Sequence, residues 1–249
     1  MDADASTVSI EIMLKLRRTS SKDEQRKMKT IEFHNVDFRA DPHPWVAELY
    51  GLRKHVFCDR LNWRVSVRDG IELDEFDSEN TTYLIGTCEG IPLAGLRLIN
   101  TLNPYMVEGP FRDFFSCAPP KHALIAESSR FFVDKTRSRT LGLAHLPLTE
   151  MLLFSMLDHA ERSGLESIVT VVSDAMARIV RHAGWHYQIL DSGEASPGET
   201  VHLLNMQITG ANRQRLLDTI QRKQPLASLQ GGRWPLSLQL ADMPARQIA

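Results

Sequence analysis

Ala126-Glu127-Ser128-Ser129-Arg130-Phe131-Phe132-Val133-Asp134 is the stretch on which the reading of this chain turns. An apolar, strand-like run beginning near Leu124 carries Glu127 and Arg130 into its interior, where a purely structural strand has no use for them. Side chains alternate along a strand, so residues an odd number of steps apart face opposite sides. Glu127 and Arg130 can share a site only if an extra residue kinks the strand between them, and the stretch therefore predicts a β-bulge. Two solvent-facing charges on an edge strand are the plainer alternative.

The residues upstream favour a shared site. From Pro44, a good first-turn residue, Val46, Leu49, Leu52, Val56 and Phe57 recur at helical spacing and predict a helix to about Asp59. Arg53 and Phe57 lie one turn apart on it, and Trp63 follows in the connecting loop. Gly70-Ile71-Glu72-Leu73-Asp74-Glu75-Phe76-Asp77 is acidic, and two apolar runs, 82–88 and 92–100, flank Glu89-Gly90 as a β-hairpin. Arg97 interrupts the second run, and a charge inside a buried strand is costly unless paired. Arg53, Arg97 and Arg130 balance Asp74, Asp77 and Glu127 if they converge. A cleft lined by such a network suits a charged, zwitterionic small molecule, although the same groups could form a purely structural knot.

Composition bounds the rest. The chain has 249 residues, 43% of them hydrophobic, enough to bury the core of one domain. Lys and Arg total 29 against 31 Asp and Glu, which argues against a nucleic-acid-wrapping protein. Cys58, Cys88 and Cys117 are scattered without metal-ligand spacing, which fits a reducing cytoplasm. No apolar stretch approaches the roughly 18 residues of a membrane span. Residues 1–27, with Lys15, Arg17, Arg18, Lys22, Arg26 and Lys27, read as a leader ahead of the domain, with Met28 as initiator. Downstream, a helix opens at Pro147 and closes near Gly164; Ser167 to Ser173 is a buried strand; Asp174 caps a helix over 175–183 ended by Gly184. Strands over 185–190 and 201–208 and a helix over 212–221 follow, and the segment beyond Pro225 reads as an irregular tail.

The ordered set Arg53, Phe57, Trp63, Asp74, Asp77, Arg97, Glu127 and Arg130, with R-x-x-x-F, D-x-x-D and E-S-S-R-F-F-V-D, resembles the LuxI-type acyl-homoserine lactone synthases, from about Met28 to at least residue 208. The resemblance implies an α/β fold, a single-domain αβα sandwich with a mixed central sheet similar to N-acetyltransferases, over residues 28–210, with 211–249 as a C-terminal helix and tail. It implies S-adenosylmethionine as a substrate, no cofactor or metal, and an acyl group delivered by acyl carrier protein. Attack of an α-amine on a thioester needs the amine neutral, and its pKa of about 8 calls for a base. Glu127 fits that role, directly or through water, or else holds the amine in place. Arg130 and Arg97 would join Glu127 in the catalytic set, one of them binding the methionine carboxylate; Arg53, Phe57, Trp63, Asp74, Asp77 and Thr170 would form the substrate-binding site, with the two aromatics packed against the substrate and the two carboxylates orienting the arginines. By the same resemblance Thr170 accompanies a preference for 3-oxo acyl chains.

Arg178 and Arg181, with His182, give one helix a basic side where the acidic carrier would dock, or form an ordinary solvated face. Two other functions share these residues. Arg139-Thr140-Leu141-Gly142-Leu143-Ala144 matches R-x-x-G-x-A, the pattern by which coenzyme-A-dependent N-acetyltransferases offer backbone amides to pyrophosphate. A non-catalytic S-adenosylmethionine-binding sensor would use the same charged cleft.

Overall fold

The computed structural model describes residues 29–39, 43–63, 65–230 and 234–241; the leader 1–27, Met28 and residues 242–249 lie outside these. The chain runs through β1 (Thr30–Asp37), α1 (Pro44–Arg53) with a π-helical extension (Lys54–Arg60), β2 (Val67–Arg68), β3 (Ile71–Glu72), β4 (Thr81–Cys88) and β5 (Ile91–Asn100). It continues through β6 (Ile125–Val133), α2 (Lys135–Thr140), α3 (Leu148–Arg162), β7 (Ser167–Ser173), α4 (Asp174–Ala183), β8 (Gln188–Ser196), β9 (Glu199–Gln207), α5 (Gly210–Lys223), β10 (Leu226–Gln230) and β11 (Leu236–Leu240).

Nine strands make one sheet in the order β10-β11-β1-β4-β5-β6-β7-β9-β8. Among the described residues β6 and β7 pair in parallel and the other neighbours antiparallel, giving the mixed sheet expected. The β4–β5 hairpin turns at Glu89 and Gly90, both at positive φ (52° and 78°), the twist a tight hairpin requires.

Each face of the sheet buries its own cluster. On one side α3, α4 and α5 cover Leu96, Ala126 and Ile168 with Phe154, Leu157, Val180, Leu216 and Ile220. The helix α3 is buried on nearly every side, which explains its apolar composition. On the other side α1 sets Val46, Leu49 and Tyr50 against Tyr83, Ile85 and Phe132. Beside it the long connection 101–124 lays Tyr105, Met106, Val107 and Phe115 over Ile99, Val169 and Leu203.

Two details differ from expectation. Ser173, not Asp174, caps α4, its hydroxyl accepting from Met176 N, and Asp174 is the first helical residue. The segment read as an irregular tail holds β10 and β11, and β11 pairs with β1. Gly231-Gly232 and Pro235 masked the strict alternation of Leu236-Ser237-Leu238-Gln239-Leu240, whose leucines are all buried.

β6 and β7 pair only from Ile125↔Ser167 to Glu127↔Val169. Beyond that point β6 stays on β5 as far as Val133, and β7 stays on β9 as far as Ser173. The two inner edges therefore part, and a wedge opens in the sheet immediately beyond Glu127.

Gly184 closes α4 at φ 103°, and a Cβ there would meet Arg215 O at 2.8 Å. Gly184→Ala combines left-handed strain with a backbone clash and should lower unfolding free energy by about 1–3 kcal/mol in urea titration.

Candidate active site

The predicted bulge is present. Arg97 pairs with Ser129 but Gly95 with Phe132, so β6 carries one residue more than β5 over that span, and Arg130 takes the left-handed conformation at φ 55°. A non-glycine residue pays strain for that conformation. The result is that Glu127, Ser129 and Arg130 address the same side of the sheet as Arg97.

α1 supplies Arg53 from its last turn. The wider π turn that follows places Phe57 below Trp63, with ring centroids 5.1 Å apart and an interplanar angle of 16°. Phe57 is buried and Trp63 is 52% exposed, so one face of the stack lies in solvent. Arg130 Cζ sits 5.8 Å from the Phe57 ring centroid.

Arg53, Arg97 and Arg130 do converge, but the third carboxylate paired with them is Glu72, not Glu127. Arg53 donates from Nη1 and Nη2 to Asp77 Oδ1 and Oδ2 at 2.7 and 2.9 Å, and from Nε to Glu72 Oε2. Arg97 donates to both oxygens of Asp74, lies 3.1 Å from Asp77 Oδ1, and donates from Nε to Ser129 Oγ at 3.0 Å. Arg130 bridges Glu72 Oε1 (3.0 Å, from Nε) and Asp74 Oδ2 (2.7 Å, from Nη2). Tyr83 donates to Asp77 Oδ1 at 2.9 Å. Arg53, Glu72 and Arg97 are at most 1% exposed, so charge balance is what permits their burial. Burial alone would raise the Asp77 pKa, but Arg53 and Arg97 outweigh it and hold the carboxyl below the usual range.

Glu127 stands outside the ion pairs. Its two oxygens accept from the successive backbone amides of Met106 and Val107, each at 3.1 Å, and it is 1% exposed. Burial pushes its pKa up to about 7, against the opposing pull of the two amides and of Arg97 and Arg130. A carboxyl that exchanges its proton near neutrality, beside fixed positive charge and at the mouth of a split in the sheet, is equipped for acid–base chemistry.

The remaining candidates lie apart. Thr170 is half-buried on β7, one step past the last β6 partner and on the opposite side of the sheet from Val169. Arg178 and Arg181 are on the exposed face of α4, Arg181 lying 4.6 Å over the Tyr187 ring. In the R-x-x-G-x-A segment, the amides of Leu141, Gly142 and Leu143 donate to Arg137, Arg139 and Ser138 oxygens, so the pattern does not present them to a pyrophosphate. Sequence reasoning missed Glu72, Ser129, Tyr83 and the Met106–Val107 amides. Glu72 had a signal: two residues before Asp74 in an extended chain, it shares Asp74's side. Among the described residues no group of three or more His, Cys, Asp or Glu is arranged to hold a metal, and no helix is long and apolar enough to cross a membrane.

The chain matches the autoinducer synthase family over residues 38–216. It belongs to that family. The acyl-homoserine-lactone synthase of Pseudomonas amygdali pv. tabaci is 57% identical over 208 residues, 84% of this chain and 92% of that one. The acyl-homoserine-lactone synthase of Pectobacterium carotovorum subsp. carotovorum is 36% identical over 195 residues, 78% and 90% of the two chains. The solved structure of a CoA-dependent acyl-homoserine lactone synthase, MesI, shares the fold, with a TM-score of 0.65 at 23% identity over 76% of this chain and 94% of that one. As an autoinducer synthase the chain is an acyltransferase.

In this autoinducer synthase, Glu72→Ala leaves Arg53 and Arg130 without a shared counter-charge. It should cost about 3–5 kcal/mol of stability, read from chemical denaturation, as for other broken buried pairs.

Proposed function

We propose that the chain is an acyl-homoserine-lactone synthase that moves an acyl group, 3-oxo and of medium length, from acyl carrier protein to the amine of S-adenosylmethionine and then lactonises the product. The observation that carries this reading is Glu127: a buried carboxyl titrating near 7, seated on two amides, where β6 and β7 part. Its proton affinity is close to that of the α-ammonium, so Glu127 takes the amine proton at little cost. The neutral amine then attacks the thioester carbonyl. The open inner edges of β6 and β7 beyond Glu127 and Val169 supply unpaired backbone groups, suited to an extended phosphopantetheine arm and to the tetrahedral oxyanion.

Collapse of that intermediate breaks the carbon–sulfur bond, and the carrier thiol leaves with the proton. The methionine carboxylate next attacks its own γ-carbon, breaks the bond to the sulfonium sulfur and releases neutral methylthioadenosine as the ring closes. The protein's part in this second step is to fold the substrate back on itself. Arg130, less buried than Arg53 and Arg97, is the guanidinium that meets the carboxylate. Arg97 sets the field beside it, and Arg53 and Asp77 act from behind as the frame. The exposed face of the Phe57–Trp63 stack packs on the substrate and attracts the sulfonium. The Thr170 hydroxyl, at the split, donates to a 3-oxo group. Arg178 and Arg181 on the outer face of α4 meet the acidic carrier.

Mass spectrometry on the protein with S-adenosylmethionine and a panel of acyl carriers should find an acyl-homoserine lactone and methylthioadenosine in equal amounts. Acyl-CoA donors run in parallel separate the donor classes, and absence of the lactone from every mixture sinks the reading. Glu127→Gln should lower kcat by about 10²–10⁴ and remove the acid limb near pH 7. Exchanging Arg178 and Arg181 for Glu should raise KM for the carrier-bound donor in a salt-sensitive way and leave acyl-CoA turnover alone.

A further inference from the structure

The connection 101–124 joins neighbouring antiparallel strands, for which roughly two to five residues would serve. Instead it crosses a face of the sheet as a strap. Its neck is closed by the Thr101 hydroxyl, which donates to His122 O and accepts from His122 N, both at 3.0 Å. Its middle is the buried segment whose Met106 and Val107 amides hold Glu127.

Its far end reaches β8, the edge strand three places from β6, roughly 14 Å away at ordinary strand spacing. There Asp191 Oδ2 accepts from Ser116 N (2.8 Å), Ser116 Oγ (2.9 Å) and Cys117 N (2.8 Å), and Oδ1 accepts from Ser192 N (2.8 Å). Gly193, on the same strand, admits the strap's backbone: a Cβ there would lie 1.7 Å from Phe114 O. A carboxylate oxygen accepting three hydrogen bonds from one turn, beside a glycine that makes room for that turn's backbone, is an anchor built into the sheet edge.

We propose that Asp191 and Gly193 are positioning residues for catalysis: by fixing the strap's far end to β8 they hold the Met106 and Val107 amides on the two oxygens of Glu127 and keep water from that carboxylate. The inference rests on the reading of Glu127 as the base. Arg97 from β5, Arg130 from β6 and Tyr105 from the strap face Glu127, β7 offers Val169, and Asp74 and Glu72 stand behind the two guanidinium groups. Of the influences on Glu127, burial is the largest and raises its proton affinity, whereas the amides lower it. Freeing the strap removes both, so the net movement is downward.

The test measures kcat/KM against pH, and backbone hydrogen exchange, on the full chain and on Asp191→Ala, Asp191→Asn and Gly193→Ala. Asp191→Ala should speed exchange at residues 104–108 as well as at 114–118 and move the acid limb down by about one pH unit or more, towards the ordinary Glu value of about 4.3. Asp191→Asn keeps an oxygen that can accept from the turn and should fall between it and the parent. Gly193→Ala displaces the strap with Asp191 intact and should reproduce the shift, which keeps the test alive if Asp191→Ala fails to fold. Faster exchange confined to 114–118 with an unmoved acid limb overturns the inference. If exchange spreads to 104–108 but Glu127→Gln retains the parental acid limb, the base assignment fails and the coupling along the strap stands.

Discussion

Three guanidinium groups share one nearly waterless seam, and they can do so only because Glu72, Asp74 and Asp77 share it with them. Those six groups come from α1, the β2–β3 ribbon and its trailing loop, β5 and β6. Electroneutrality in low dielectric therefore ties β5 to elements, α1, β3 and β6, that one apolar cluster already brings together. It also leaves Glu127 without an ionic partner of its own. With every nearby cation already matched, burial dominates and the carboxyl stays near neutral titration.

The proposed site lies where the sheet departs from regular geometry. The bulge turns Arg130 towards Arg97, the π turn brings Phe57 under Trp63, and the β6–β7 parting exposes two strand edges beside Glu127. Each irregularity departs from ideal geometry at the site, while the helical face behind it keeps a regular, densely packed cluster.

Much of this was legible beforehand, and the failures have physical causes. The parity of Glu127 and Arg130 demanded a bulge, because a strand offers no other way to aim both at one site. Arg97 inside an apolar run demanded partners, and these are Asp74 and Asp77. Which carboxylate completed the set was missed because Glu72 lies in a two-residue strand too short to show a period of its own, and only its even spacing from Asp74 marked it. The strap 101–124 escaped notice for a related reason: its role depends on backbone amides and on contacts with β8, and neither leaves a pattern in residue type. In the last strands, local glycine and proline signals outvoted a five-residue alternation that only its partner β1 makes meaningful.

That pairing of β1 with β11 has a consequence for how the protein is made. Thr30 meets Gln239 across the ladder, so one flank of an early strand is completed by a segment that is made about 200 residues later. At about 5–20 residues per second, the edge of β1 waits many seconds for its partner, with Ile31 and Phe33 among its residues. Long-range closure of this kind slows folding and leaves a strand edge open to other chains meanwhile. Synthesis is thus an interval in which this edge of β1 stands open, and β11 is the cover that ends it.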